Sequence, residues 1–78
     1  MLETPTHWYT HGFGDDLDEA MTAAARSMLR FLQNRWELTA DDAYSLLSVG
    51  GDFTITQVVD SRQGVHAGVA KSMFRGLT

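Results

Sequence analysis

The chain has 78 residues, no cysteine and a formal net charge of −4, with 44% hydrophobic and 21% charged residues. This length and balance predict a single globular domain over residues 1–78 with one small core, and the acidic charge excludes nucleic acid as a partner. Because no apolar run approaches the about 20 residues that cross a bilayer, and no secretory signal opens the chain, we predict a cytoplasmic protein without a membrane partner.

The first predicted element is a strand over residues 6–13, where aromatic and threonine side chains favour extended backbone. A long helix follows, because Asp15 or Asp16 can cap its first turn and further acidic residues lie where the helix dipole favours them. Apolar residues then recur at spacings of three and four as far as about Asn34, which is typical of a helix with one buried face.

A second helix is predicted from Ala40 to about Ser48. Thr39 and Asp42 resemble a capping box at its start, and two consecutive glycines at positions 50 and 51 end it. Beyond the glycines, apolar and polar residues alternate from Phe53 onwards with the period of a strand.

The last predicted element is a strand over residues 65–69, which returns after a loop at residues 60–64 and forms a hairpin. The order β-α-α-β-β predicts an α+β fold, in which two helices pack on one small antiparallel sheet. Within the last strand, Gly68 indicates that another backbone or an aromatic ring comes close, and Trp8 or Phe74 could supply that ring. A domain this small without disulfides commonly relies on association, so we predict a homo-oligomer or a companion chain.

Two segments carry a resemblance to a known family. They are GFGDDLDEAM, which ends at Met21, and AYSLLSVGGDFTITQVVD, which runs from Ala43 to Asp60. Their order and spacing resemble the closing, C-terminal portion of the acetamidase/formamidase family of amide hydrolases, and the resemblance extends over residues 3–74. Relatives usually have a proline just before the Lys-Ser-x-Phe element, where this chain has Ala70.

The resemblance implies an ancestry among hydrolases of linear amide C–N bonds, with a divalent metal as the cofactor of full-length relatives. In that family the metal-binding and catalytic groups lie largely in an upstream segment rich in Asp, His, Gly and Glu, and these 78 residues contain no such segment. The resemblance therefore predicts a fragment or a stand-alone relative that is structural or oligomerising and is not catalytic alone.

His7 and His11 suggest a metal site, because histidine is a common zinc ligand. On a strand, however, residues four apart are separated by about 13 Å, whereas the donor atoms of one zinc site lie within about 4 Å of each other. Only a turn near Gly12 would bring the two rings together. We therefore predict that both histidines are amphipathic strand residues that keep their polar tips wet.

Asp52 is the candidate catalytic residue, because it follows the glycines that end a helix and precedes a strand. It matches the aspartate of the family's Ser-x-x-x-Asp-x-x-Ile pattern. Its side chain could project toward a site at the end of the sheet, as functional groups on loops do. The alternative is a turn residue that bonds neighbouring backbone amides.

Three functions fit these observations. The first is the structural role described above, in docking, in oligomerisation or as one wall of an amide-hydrolase site. The second is a small module that binds a ligand or peptide on the surface of Trp8 and Tyr9, which requires an aromatic-lined pocket of about 300 Å³ or more. The third is an independent metal-dependent hydrolase of short linear amides.

Overall fold

The computed structural model describes the backbone of residues 1–59 and 62–77 and the side chains of residues 1–55 and 62–74. The predicted α+β fold, with two helices on an antiparallel sheet in the order β-α-α-β-β, is confirmed, and two short elements are added to it. One is a two-residue strand at the start and the other is a 3-10 helix at the end. The elements are β1 (Leu2–Glu3), β2 (His7–Gly14), α1 (Leu17–Trp36), α2 (Ala40–Gly50), β3 (Asp52–Val59), β4 (Arg62–Ala70) and the 3-10 helix (Lys71–Leu77).

Both helices begin at the residues that the sequence indicated. The carboxylate of Asp16 accepts a hydrogen bond of 2.8 Å from the backbone N–H of Glu19, and the Glu19 carboxylate accepts one of 3.0 Å from the N–H of Asp15. At α2, the hydroxyl of Thr39 accepts a hydrogen bond of 3.1 Å from the N–H of Asp42. These bonds satisfy amide groups that a helix leaves unpaired in its first turn.

The four strands form one antiparallel sheet in the order β1-β2-β4-β3. Its centre is therefore the pair of β2 and β4, while β3 lies at one edge. The predicted hairpin is tighter than a five-residue loop, because Val59 already pairs with Arg62. Residues 60 and 61 of that loop lie outside the described residues. At the other end, β4 continues through Ala70, which pairs with His7 at the position where relatives usually have proline.

Helix α1 lies directly on β2. The buried hydroxyl of Thr10 donates a hydrogen bond of 2.9 Å to the carbonyl oxygen of Ala24 in the helix. Gly12 lies two residues beyond Thr10 on the same face of β2, and a side chain there would overlap the backbone of Ala20 and Ala24. A glycine is needed here because the helix axis comes too close to the strand for any Cβ.

An aromatic cluster fills the end of the core beyond Thr10. Trp8 packs edge-on against Trp36, with ring centroids 5.2 Å apart, and Trp36 stacks on Phe74 at 4.3 Å. Phe31 completes the cluster, 5.4 Å from the Trp8 ring. Because Phe74 belongs to the 3-10 helix, the end of the described chain is packed into the same core as its first long strand.

The helices cover only part of the sheet. Helix α1 packs mainly on β2 and β4, and α2 packs mainly on α1 and β4. Two apolar residues of β3, Phe53 and Ile55, pair with core residues of β4, so their side chains project toward the helix side. They nevertheless stay 39% and 58% exposed. The α+β layer is therefore unfinished along β3.

None of the helices within the described ranges combines the length and the apolar composition that crossing a bilayer requires.

Candidate functional site

The face of the sheet that the helices leave bare is the candidate site, and we call it the open face. Side chains alternate along a strand, and Trp8 and Thr10 point toward α1, so the odd-numbered residues of β2 project from the other side. The register then assigns their neighbours on β4 and β3. The side chains on the open face are Leu2, His7, Tyr9, His11, Phe13, Asp52, Thr54, Arg62, His66 and Ala70. Each of them is exposed or half-buried.

Four of these rings form a continuous row. His7 stacks on Tyr9, with centroids 5.7 Å apart, and the Tyr9 ring lies 5.8 Å from that of His66. The closest contact in the row is between His11 and His66, whose centroids are 4.1 Å apart with the rings nearly perpendicular. The row thus ends in a pair of imidazoles that come from two different strands.

Gly68 explains how the row packs. It lies on the open face, where an added Cβ would lie 2.7 Å from a ring carbon of Tyr9. Of the two predicted neighbours of Gly68, a backbone or an aromatic ring, the structure shows a ring, but Trp8 and Phe74 were the wrong rings. Both of them lie in the core on the opposite side of the sheet.

His7 and His11 are not brought together. Strand β2 runs unbroken through Gly12, so the turn that a shared metal ion would require is not formed. The nearest imidazole to His11 is instead His66, which lies directly opposite it on β4. Sequence reasoning missed His66 because the pairing of β2 with β4 fixes this contact. A sequence signal for it would have required the register of this long-range pair.

The divalent metal that the resemblance implies for full-length relatives does not fit the side chains described. Within residues 1–55 and 62–74, no group of three or more His, Cys, Asp or Glu side chains could hold a metal ion. Hydrolytic zinc sites commonly use three protein ligands and keep one position open. We therefore derive no catalytic step through a metal from this part of the chain.

His11 holds its proton weakly. Partial loss of hydration lowers the pKa of His11, and repulsion from His66 and from the amino group of Met1 lowers it further. Although His11 is exposed overall, one side of its ring rests against His66, which accounts for the lost hydration. Its imidazole is therefore neutral near pH 7, and one of its two nitrogens has a lone pair that can accept a hydrogen bond or bind a metal ion.

Asp52 opens β3 and pairs with Gly68 of β4. Its side chain is exposed on the open face, at the end of the sheet where the chain leaves β4 for the 3-10 helix. The location agrees with a group that lines one wall of a larger site. A catalytic role for Asp52 stays a prediction.

Two surface pockets lie at the margins of β2, with volumes of about 350 Å³ and about 400 Å³. Aromatic side chains contribute little to either one: the first includes Phe31 and His11, and the second includes His7. Most of the other lining groups are polar or charged. Neither pocket is the aromatic-lined cavity that a ligand-binding module predicts.

Comparison with known proteins shows which solved structures have a similar fold. No protein-family model matches the sequence, and no curated protein matches it. Two solved structures are similar over 96% of this chain. They are an acetamidase from Bacillus halodurans, with 33% sequence identity and a TM-score of 0.84, and a predicted acetamidase/formamidase from the thermophile Thermoanaerobacter tengcongensis, with 21% identity and a TM-score of 0.83. The chain spans 25% of the length of each of those chains. The resemblance predicted from the two motifs is thereby confirmed.

Proposed function

We propose that this chain, which is similar over nearly all its length to one quarter of an acetamidase chain, is a structural part of an acetamidase/formamidase-type amide hydrolase. It forms one wall of the molecule and docks against further chain, either another copy or a companion that supplies the upstream segment. The observation that carries this proposal is the unfinished layer along β3. A cytoplasmic location and a position at the C-terminal end of the full protein belong to the same proposal.

The edge of β3 is suited to docking. A strand at the edge of a sheet presents unpaired N–H and C=O groups, which another strand can use. On the helix side of the same strand, Phe53 and Ile55 expose apolar surface that neither helix reaches. Backbone groups and apolar side chains therefore lie side by side, which is the combination that a neighbouring element buries.

Association of the 78-residue chain is the first test. We expect its mass, measured by light scattering or sedimentation, to rise with concentration as β3 surfaces come together. Ile55→Lys should weaken this association at least tenfold, because it places a charge in the apolar contact; tenfold corresponds to about 1.4 kcal/mol.

Val49→Lys is the matched control. Val49 is 89% exposed at the end of α2, so the same change there tests whether added charge alone disperses the protein. A well-folded chain that stays monomeric at its highest soluble concentration would contradict the association role. If both lysine variants weakened association equally, β3 would not be the surface through which the chain associates.

Amide hydrolysis is the second test. Because the described residues hold no three-ligand metal group, we expect no ammonia release from formamide, acetamide or other short amides, with zinc or calcium added. Activity would overturn the non-catalytic role. In that case Asp52→Asn should reduce it by about a hundredfold or more if Asp52 acts as the general base or acid, while Asp42→Asn at the helix start serves as the control.

A further inference from the structure

The His11–His66 pair is the strongest unassigned feature of the open face. The two residues lie directly opposite each other in an antiparallel pair, and their ring centroids are 4.1 Å apart. Opposite residues in such a pair have Cβ atoms about 4.5–5.5 Å apart. Their side chains therefore leave the sheet side by side, with no covering element between the pair and solvent in the described part of the chain.

We propose that His11 and His66 form a cross-strand binding site for a divalent transition-metal ion such as Zn²⁺, Ni²⁺ or Cu²⁺. Imidazole nitrogens bind zinc at about 2.0–2.1 Å, so two donor nitrogens about 3–4 Å apart can hold one ion. The rings are nearly perpendicular at present, and small rotations about their side-chain bonds would turn one nitrogen of each toward a common point. His11 is exposed and His66 is half-buried, so solvent reaches both side chains.

The strands provide rigidity for this site. Both histidines lie in the central strand pair, and the Tyr9 ring, 5.8 Å from His66, limits the movement of that imidazole along the row. Functional groups on strands are held more precisely than groups on loops. The sheet thus fixes the spacing of the two ligands before any ion arrives.

Metal binding requires that both imidazoles be unprotonated. The titratable and charged side chains on the open face are His7, Tyr9, Asp52, Arg62 and His66. Arg30 of α1 lines the same pocket as His11, and the positive amino group of Met1 lowers the pKa of His11.

The site is distinct from a hydrolytic metal centre. It has two protein ligands, with water in the remaining positions, because the described side chains offer no third ligand to complete a group. Imidazole pairs of this kind follow the general order of divalent affinities, so Cu²⁺ should bind more tightly than Ni²⁺ or Zn²⁺. The inference does not rest on the role proposed for β3.

Calorimetric titration of the 78-residue chain with ZnCl₂, NiCl₂ and CuCl₂ at neutral pH tests the site. We expect one ion per chain. His11→Gln and His66→Gln should each weaken binding at least tenfold, while His7→Gln, on the same face and strand but outside the pair, should leave it unchanged. Binding should weaken as the solution is acidified, because protons compete with the metal ion for the imidazole nitrogens.

NMR spectra of the histidine ring nitrogens give a readout that needs no variant. Zinc should shift the nitrogen signals of His11 and His66 and leave those of His7 in place. Unchanged affinity in both glutamine variants, or an equal loss in His7→Gln, would overturn the proposal. Half an ion per chain together with a doubled mass would place the ion between two copies and would also overturn the intrachain site.

Discussion

Gly12→Ala is expected to destabilise the domain by about 3 kcal/mol or more, which is the upper end of the range for overpacked cores. The added methyl group would overlap the backbone of Ala20 and Ala24 in α1, and a backbone cannot rotate away as a side chain can. Relief requires that the helix move off β2, which would stretch the hydrogen bond from Thr10 to Ala24. Urea unfolding followed by circular dichroism measures the loss.

Gly50→Ala is the matched control for this result. There the new methyl group would meet only the end of the Met73 side chain, which is flexible, and alanine is preferred to glycine in a helix by about 0.5–1 kcal/mol. We expect a change of no more than about 1 kcal/mol in either direction. If Gly12→Ala were as stable as the unaltered chain, the inference that α1 lies too close to β2 for a side chain at position 12 would be contradicted.

Trp8→Ala is expected to unfold the isolated chain to a large extent. Trp8 is only 8% exposed and touches Phe31, Trp36 and Phe74, so its removal opens the centre of the aromatic cluster. Substitutions of this kind cost about 3–5 kcal/mol. A domain of this length has a total stability of roughly 4–12 kcal/mol, from about 0.05–0.15 kcal/mol per residue.

The experiment compares unfolding midpoints and the near-ultraviolet dichroism that the packed rings produce. Tyr44→Ala serves as the control, because Tyr44 is an aromatic residue on α2 with 64% of its surface exposed, and its loss should cost about 0.5 kcal/mol or less. Trp8→Phe keeps a ring in the cluster and should fall between the two. A Trp8→Ala chain that retains its full near-ultraviolet signal would show that the cluster forms without it.

Local features of the fold were predictable because their causes lie within a few residues. The caps at Asp16 and Thr39 involve residues three positions further along, so a sequence shows both partners together. The alternation of apolar and polar residues beyond Gly51 likewise indicates a strand without reference to distant segments. Strand β1 has two residues, and nothing in their composition distinguishes them from a loop; the strand exists because Leu2 and Glu3 meet β2.

Contacts between distant segments were harder to predict, for a physical reason. A hairpin shifted by one residue turns every side chain to the opposite face. The register of β3 on β4 shifts by one residue between Ile55 and Gln57, so the turn of the hairpin does not fix the pairing of the whole strand. The long-range pairing of β2 with β4 brings His66 opposite His11. The same alternation places Gly68 under Tyr9 and away from the core rings. The location of Asp52 at the start of β3 was predictable, and its catalytic role stays a prediction.

The order β1-β2-β4-β3 also has a consequence for how the molecule is made. The two middle strands come from opposite halves of the sequence, and Gly14, for example, pairs with Gln63. During synthesis, β2 and α1 emerge before β4, the strand that completes the sheet beside β2. We expect the closing of this long loop to limit the folding rate, because its entropy must be spent before the central pairing forms. Until then, the surface of α1 that packs on β4 is exposed, and chaperones can bind it.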